Sequence, residues 1–346
     1  MKICVAAMEY DYGDITRART YDYCNFYQSL VRMGHDVNLF DYMVLEKKLG
    51  RVAMNDLLIN HVVSTSPDLV FFIMYTDQFN TSTMDTVRKY AKTLGFFHDA
   101  TWRQAYVEQW AAHFDWFSFA DSHAKYIYNK KGLLNSLHLP YGVNETLYQQ
   151  DTQPKTVDVS FVGGWDPYRQ WLVKLLRKAN IKVEVAGYRW PEGVFSHEAM
   201  VGLFGRSKIS LNLSNSNSWD IRYLLSSPHA LFKRIRSNKN SEQLKARHFE
   251  IAATGTMQLS YYVEGLEQYY EIGKEIAIFL DPDELVDKVR FYLADDFLRE
   301  QIALRGLQRT LEEHTYFERF QKLFAQMGFS MFTSNSGSLA LIPKDS

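Results

Sequence analysis

The sequence predicts an α/β protein of two Rossmann-like, doubly wound parallel-sheet domains facing an interdomain cleft, and three observations predict it. Short apolar runs alternate with amphipathic stretches through residues 1–150, the rhythm of a parallel sheet covered by helices on both faces. That rhythm halts in a polar stretch and restarts at Val157. The chain has 346 residues, a length that two ordinary domains fill better than one.

The first half opens on a strand at 2–8, followed by a polar loop, 9–19, that contains Gly13, Arg17 and Arg19. A helix over 21–33 is expected to stop at Gly34, a good residue for the turn that ends a helix. Strand 37–40, helix 52–64 and a buried strand at 68–73, just after Pro67, come next. Helical spacing over 83–94 then gives way to Leu94-Gly95-Phe96-Phe97, which leads into His98-Asp99. Residues 139–156 read as a linker, setting the domains at 1–150 and 151–329. The second half has strand 157–162 ending in Gly163-Gly164, helix 168–178, strand 181–186 ending at Gly187, helix 197–205 and strand 209–213. A polar, basic insertion fills 214–240. Helix 242–253, strands 257–260 and 276–280, and helices 283–293, 296–311 and 316–327 complete the domain, the last able to pack back on the first domain. Residues 330–346 read as a loose tail.

Composition narrows the function. A formal net charge of −1 gives no global field for nucleic acid or an anionic membrane. The two cysteines, Cys4 and Cys24, have neither metal-knuckle nor redox spacing. No charged leader and no apolar run of spanning length is apparent, so a cytoplasmic protein without a transmembrane segment is expected. Aromatic residues make up 15% of the chain, which serves packed cores or a cleft that stacks on sugars and a base.

Several segments can carry chemistry. Gly163-Gly164, at a strand end before a helix, lets backbone N–H groups approach a phosphate, and Arg169 early in that helix adds a cation; a plain tight turn with a solvated arginine is the alternative. Glu250 sits among Phe249, Ile251, Ala252 and Ala253, where an unpaired carboxylate is costly to bury. Its partner is a ribose diol, or Arg247 one turn earlier, or both, with Arg247 turned toward phosphate. Gly187-Tyr188-Arg189-Trp190 follows the second strand of this half, where the fold recognises a base; the alternative is a turn with Trp190 in the core. In the first half, His98 and Asp99 end a strand and face the cleft, as catalytic candidates or as structural residues. The loop with Gly13, Arg17 and Arg19 is the acceptor-side candidate on the same geometric ground. Arg222, Lys233, Arg234, Arg236 and Lys239 make the insertion a mobile lid, an anionic-acceptor site or a solvated basic loop.

The run Ala246-Arg247-His248-Phe249-Glu250-Ile251-Ala252-Ala253-Thr254-Gly255-Thr256 resembles the donor-binding segment of group 1 glycosyltransferases. More closely, it is similar to the Arg-x-Phe-Glu-Ile-x-Ala-x-Gly run of the CgeB-like (spore maturation protein-like) transferases. Asp158-Val159-Ser160-Phe161-Val162-Gly163-Gly164, Ser207-Lys208-Ile209-Ser210-Leu211-Asn212-Leu213-Ser214, Gly273-Lys274-Glu275-Ile276, His314-Thr315-Tyr316 and Pro140-Tyr141-Gly142-Val143-Asn144 resemble that group in order. The likeness is strong over about 156–327 and mostly architectural before it. It implies a GT-B fold, a nucleotide-diphosphate sugar donor such as a UDP-sugar, no obligatory metal or other cofactor, and a retaining transfer. It also implies a ribose role for Glu250, and a donor-sugar role for Glu242, seven intervening residues upstream as in the group's Glu-x7-Glu motif. In one continuous helix the two glutamates would stand about 12 Å apart and roughly 80° around the axis. Ser241 as an N-cap would make Glu242 merely a first-turn carboxylate. The acceptor, whether glycan, protein or small molecule, is left open. The rivals are an inactive binding or assembly protein on the same scaffold and a nicotinamide-dependent oxidoreductase. The second is disfavoured because Gly-x-Gly-x-x-Gly follows neither first strand.

Overall fold

Alternation at a period of two builds the first sheet. In β1 (Lys2–Ala6), Ile3 and Val5 face one core cluster and Cys4 and Ala6 the other. The same split recurs in β3 (Leu69–Met74), so both faces are buried, as a parallel sheet requires. The computed structural model describes residues 1–150, 154–213, 218–237 and 242–329. Between β1 and β3 lie a π-helical stretch (Tyr23–Tyr27) running into α1 (Gln28–Arg32), then β2 (Asp36–Phe40), α2 (Tyr42–Leu49) and α3 (Arg51–Thr65). Gly50, at φ 84°, divides α2 from α3; α3 is the helix expected at 52–64, and α2 before it was not foreseen. After β3 come α4 (Thr81–Val87), β4 (Lys92–Phe97), α5 (Gln104–Ala111), β5 (Trp116–Phe119), α6 (Ser122–Lys130) and β6 (Ser136–His138). The helix expected over 83–94 ends early because Lys92–Leu94 pair with Leu69–Phe71 of β3. The sheet is parallel throughout, in the order β2-β1-β3-β4-β5-β6.

The second sheet is also all parallel. It uses β7 (Val157–Val162), α7 (Pro167–Lys178), β8 (Val183–Ala186), α8 (His197–Gly205) and β9 (Ser207–Asn212). The basic insertion then forms two short helices, α9 (Ile221–Ser226) and α10 (Pro228–Arg236). The domain closes with α11 (Arg247–Ala253), β10 (Met257–Tyr261), β11 (Ala277–Phe279), α12 (Pro282–Ala294) and α13 (Asp296–Glu313). The strand order β11-β10-β9-β7-β8 puts a switch point between β7 and β9, where crossovers leave in opposite directions and a crevice opens at the strand ends.

The expected helix 242–253 is only α11. Before it, the Lys245 backbone N–H donates to His248 Nδ1 at 3.1 Å, while the Gln243 and Lys245 side chains reach across to Thr101 and Asp99 of the first domain. Those tertiary bonds hold 242–245 outside the helix, which Ala246 begins with αR backbone angles. Ser241 and the tail 330–346 lie outside the described residues.

The connecting segment is far from loose. Leu139, Tyr141, Val143 and Tyr148 are buried in a core shared by both domains. The last helix, α14 (Tyr316–Gln326), crosses back and lays Phe320 against Phe26 and Phe71 of the first domain. The two crossings are laced together: Val143 N–H donates to His314 O and Tyr316 N–H to Val143 O, at 3.0 and 2.8 Å.

Candidate functional site

At the β7/β9 switch point a cavity of about 350 Å³ lies between the domains. Its second-domain wall comprises Phe161 to Gly164 at the end of β7, Arg169 on α7, Asn212 at the end of β9, and Lys245 to Arg247 with Glu250 around the start of α11. Tyr21, His98 and Tyr141 face them from the first domain.

The glycine turn is built by close backbone approach. Gly187 has φ 140°, and a Cβ there would stand 2.2 Å from the Gly163 carbonyl oxygen. Trp190 donates its indole N–H to that same carbonyl at 2.9 Å, with its ring buried beside Phe161. This corrects the expectation of a base-recognising ring: neither Gly187 nor Trp190 lines the cavity, and together they fix the Gly163 turn. The Gly163 N–H donates to Ala186 O at 2.9 Å, so it is committed to the sheet edge. A Cβ built on Gly164 meets nothing within 4 Å, and this residue borders the cavity.

Arg169 is not solvated. Its Nε donates to Leu213 O at 3.0 Å and its Nη1 to Gly164 O at 2.9 Å, bracing the ends of β9 and β7. Burial pulls its guanidinium down to about 10, partly offset by the charges of Asp166 and Glu242. Glu250 is 3% exposed; its Oε1 accepts from the Tyr148 hydroxyl and its Oε2 from Arg247 Nη1, each at 2.5 Å. The ion pair with Arg247 therefore forms, and Glu250 still borders the cavity. A carboxylate offers about four acceptor positions, so roughly two remain. Burial, followed by the charge and hydrogen bond of Glu250, drives the Tyr148 hydroxyl well above its ordinary range, keeping it a donor. The Asn212 Nδ2 is buried at the cavity wall with no acceptor among the described residues.

His98 points into the cavity with both ring nitrogens engaged: Nε2 with Asp22 at 3.0 Å and Nδ1 with the Tyr141 hydroxyl at 2.9 Å. Burial lowers its affinity for a proton, but the charge and hydrogen bond of Asp22, with Asp99 behind, outweigh it and leave the imidazole raised above its usual value. Asp99 does not line the cavity. It adopts φ 53°, and its carboxylate accepts from Lys245 Nζ at 2.7 Å in an ion pair between the domains. Glu242 is not a first-turn carboxylate of α11. It borders a smaller adjoining pocket with Arg169, Asn212 and Lys245.

The acceptor-side candidates separate. Arg17 lines a larger cavity of about 1010 Å³, between Asp11, Tyr12 and Thr16 to Ala18 on one side and Tyr188 with Val194 to Ser196 on the other. Gly13 packs against α2, where a Cβ would meet Met43 Cγ at 2.8 Å, and Arg19 pairs with Glu9 at 3.3 Å; neither lines that cavity. In the insertion, Arg222 is bound by Asp220 and Asp283, each at 2.7 Å, while Arg234 and Arg236 lie over Trp219 and Phe232. None of the three lines either cavity. Lys239 and the Lys233 side chain lie outside the described residues.

Sequence reasoning missed Asp22, Tyr148, Asn212 and Lys245 as site residues. A signal existed only for Asn212, a polar residue closing a strand that otherwise reads as buried.

Residues 169–325 match a family model described as glycosyl transferase-like. No curated protein sequence matches the chain. Among solved structures, TarM superposes with a TM-score of 0.57 at 10% identity, over 79% of this chain and 58% of that one, so the chain spans less than two-thirds of TarM. Sucrose-phosphate synthase from Thermosynechococcus elongatus gives 0.60 at 12% identity, covering 95% of this chain and 99% of its own. HepE from Anabaena, solved in complex with UDP and glucose, gives 0.61 at 10% identity, with 95% and 99% covered.

Proposed function

From a protein with the GT-B fold and a glycosyl transferase-like C-terminal domain, we propose a glycosyltransferase that moves a sugar from a nucleotide-diphosphate donor to an acceptor nucleophile. One observation carries the reading: the cavity at the β7/β9 switch point gathers Arg169, Lys245, Arg247 and the unsatisfied Asn212 amide on one wall, opposite His98. Such a wall suits a diphosphate, and fixed donors stabilise charge that grows as the leaving group departs. Glu250, oriented by Tyr148 and Arg247, has acceptor capacity left for a ribose diol. The UDP and glucose held by HepE support a uridine donor.

Retention and independence of a resident metal belong to the same proposal. An inverting route needs a base with a free acceptor atom, yet His98 has both nitrogens bonded and Asp99 is held by Lys245. In the retaining route the bond from the sugar's anomeric carbon to the diphosphate breaks and the bond to the acceptor oxygen forms on the same face. The acceptor proton passes to the departing phosphate oxygen, and His98, readily protonated, supplies positive charge beside the sugar.

Thermal shifts with UDP, GDP, dTDP, ADP and CMP test the reading. A nucleoside diphosphate at one hundred times its dissociation constant adds about 2.7 kcal/mol of stability. UDP is expected to give the largest shift, and Glu250→Ala to abolish most of it. Unchanged binding by that variant rejects the ribose role. Donor turnover is expected to persist in EDTA, measured by release of free UDP.

A further inference from the structure

The insertion between β9 and α11 presents a surface that the transfer reading leaves unused. Trp219, Ile221, Leu225, Leu231, Phe232 and Ile235 are between 46% and 80% exposed. Their arrangement is ordered. On α9 the exposed pair Ile221 and Leu225 is spaced i,i+4, opposite a buried anchor, Tyr223, which stacks edge-on against Tyr168 of α7. On α10 the exposed pair Leu231 and Ile235 repeats that spacing, with Phe232 beside it and the anchor Ala230 fully buried. At about 100° per residue, Leu231, Ile235 and Phe232 span roughly 100° of the α10 surface, with Arg234 bordering one side and Arg236 the other. Both arginines lie against rings of this patch, 4.0 Å from Trp219 and 4.1 Å from Phe232.

Charge says what covers this surface. Residues 218–237 carry Arg222, Lys233, Arg234 and Arg236 against a single acid, Asp220, in a chain whose net charge is −1. That acid and Asp283 of α12 are both already bound to Arg222, which leaves the other cations unmatched by them. A second copy of the same patch would set arginines against arginines with no free counter-charge. Nucleic acid would satisfy the cations but leave Ile221, Leu225 and Ile235 against water or phosphate. An anionic bilayer satisfies both, with apolar side chains entering the headgroup region and guanidinium groups meeting lipid phosphates. Among the described residues no helix is long and apolar enough to cross a membrane. Contact through these helices would therefore be peripheral.

We propose that α9 and α10 form an interfacial docking surface for anionic membrane lipid. Sedimentation of the full chain with vesicles tests it, using phosphatidylcholine alone and phosphatidylcholine with about one-third phosphatidylglycerol. Binding is expected to the anionic vesicles, weakening as salt rises, and to be at least about tenfold weaker on the neutral ones. The Leu225→Ser/Ile235→Ser variant and, separately, Arg234→Glu/Arg236→Glu are each expected to lose about tenfold in vesicle affinity. All these side chains lie outside the cavity, so UDP binding and the melting transition are expected to stay as in the parent protein. Equal binding to both vesicle types, or anionic binding that both variants retain, overturns the proposal. So does self-association in the absence of vesicles that Leu225→Ser/Ile235→Ser abolishes, because the patch then serves a second copy. Failure of the UDP shift alone would sink the transfer reading and leave this one standing.

Discussion

Asn212 is the residue whose state in the protein without ligand says most about what the cavity receives. Its Nδ2 is buried and unsatisfied, a condition that costs about 1–3 kcal/mol and that a ligand oxygen relieves. Asn212→Ala is therefore expected to separate two properties. Nucleoside diphosphate affinity falls about tenfold by titration calorimetry, while the melting temperature holds or rises because an orphaned donor has gone. Loss of stability with unchanged affinity would mark Asn212 as structural. Glu250 shows the opposite design, its carboxylate held by Tyr148 and Arg247 before any ligand arrives. The sequence pointed to Glu250 and Arg247 because both sit on one turn, but Tyr148 is 102 residues away from Glu250, beyond the reach of any local pattern. Lys245 and Asp99 stand 146 residues apart and meet only because the domains do.

At the scale of elements, the loop after β8 supports the glycine turn after β7. Gly187 cannot hold a Cβ so near Gly163, and its φ of 140° strains any other residue. Gly187→Ala is expected to destabilise the fold by about 2 kcal/mol or more and to weaken nucleotide binding, read by urea unfolding and by titration. A neutral result would show that the turn is not set by this contact. Both glycine positions were plain in the sequence, as was the strand-helix rhythm, because strands buried on both faces read as continuous apolar runs in β1, β3 and β7. Less legible was 100–138, where β5 and β6 have four and three residues, too short for an apolar run to declare itself. The start of α11 was hidden for a different reason. His248 binds the Lys245 backbone through its side chain, a bond that no helical spacing announces.

For the whole molecule, two buried histidines dominate the response to acid. Burial pulls His248 down to about 4, and burial together with the Arg319 charge does the same to His314. Below the ordinary value of 6.5 the unfolded chain takes up these protons while the native state does not, so stability present above 6.5 is lost as pH falls toward 4. The loss is on the order of 3 kcal/mol for each group. His98 runs the other way, since its raised value contributes stability below 6.5 that disappears as pH climbs through it. Urea unfolding across pH 4–7 is expected to show a steep acid limb that His248→Asn and His314→Asn each flatten; an unchanged slope would refute the assignment. The return of α14 to the first domain has a further consequence, one for biosynthesis. Phe26 and Phe71 leave the ribosome well before the ring that covers them, Phe320. The half made first waits for α14, and until that helix emerges a nascent chain carries an aromatic face in need of a chaperone's shelter.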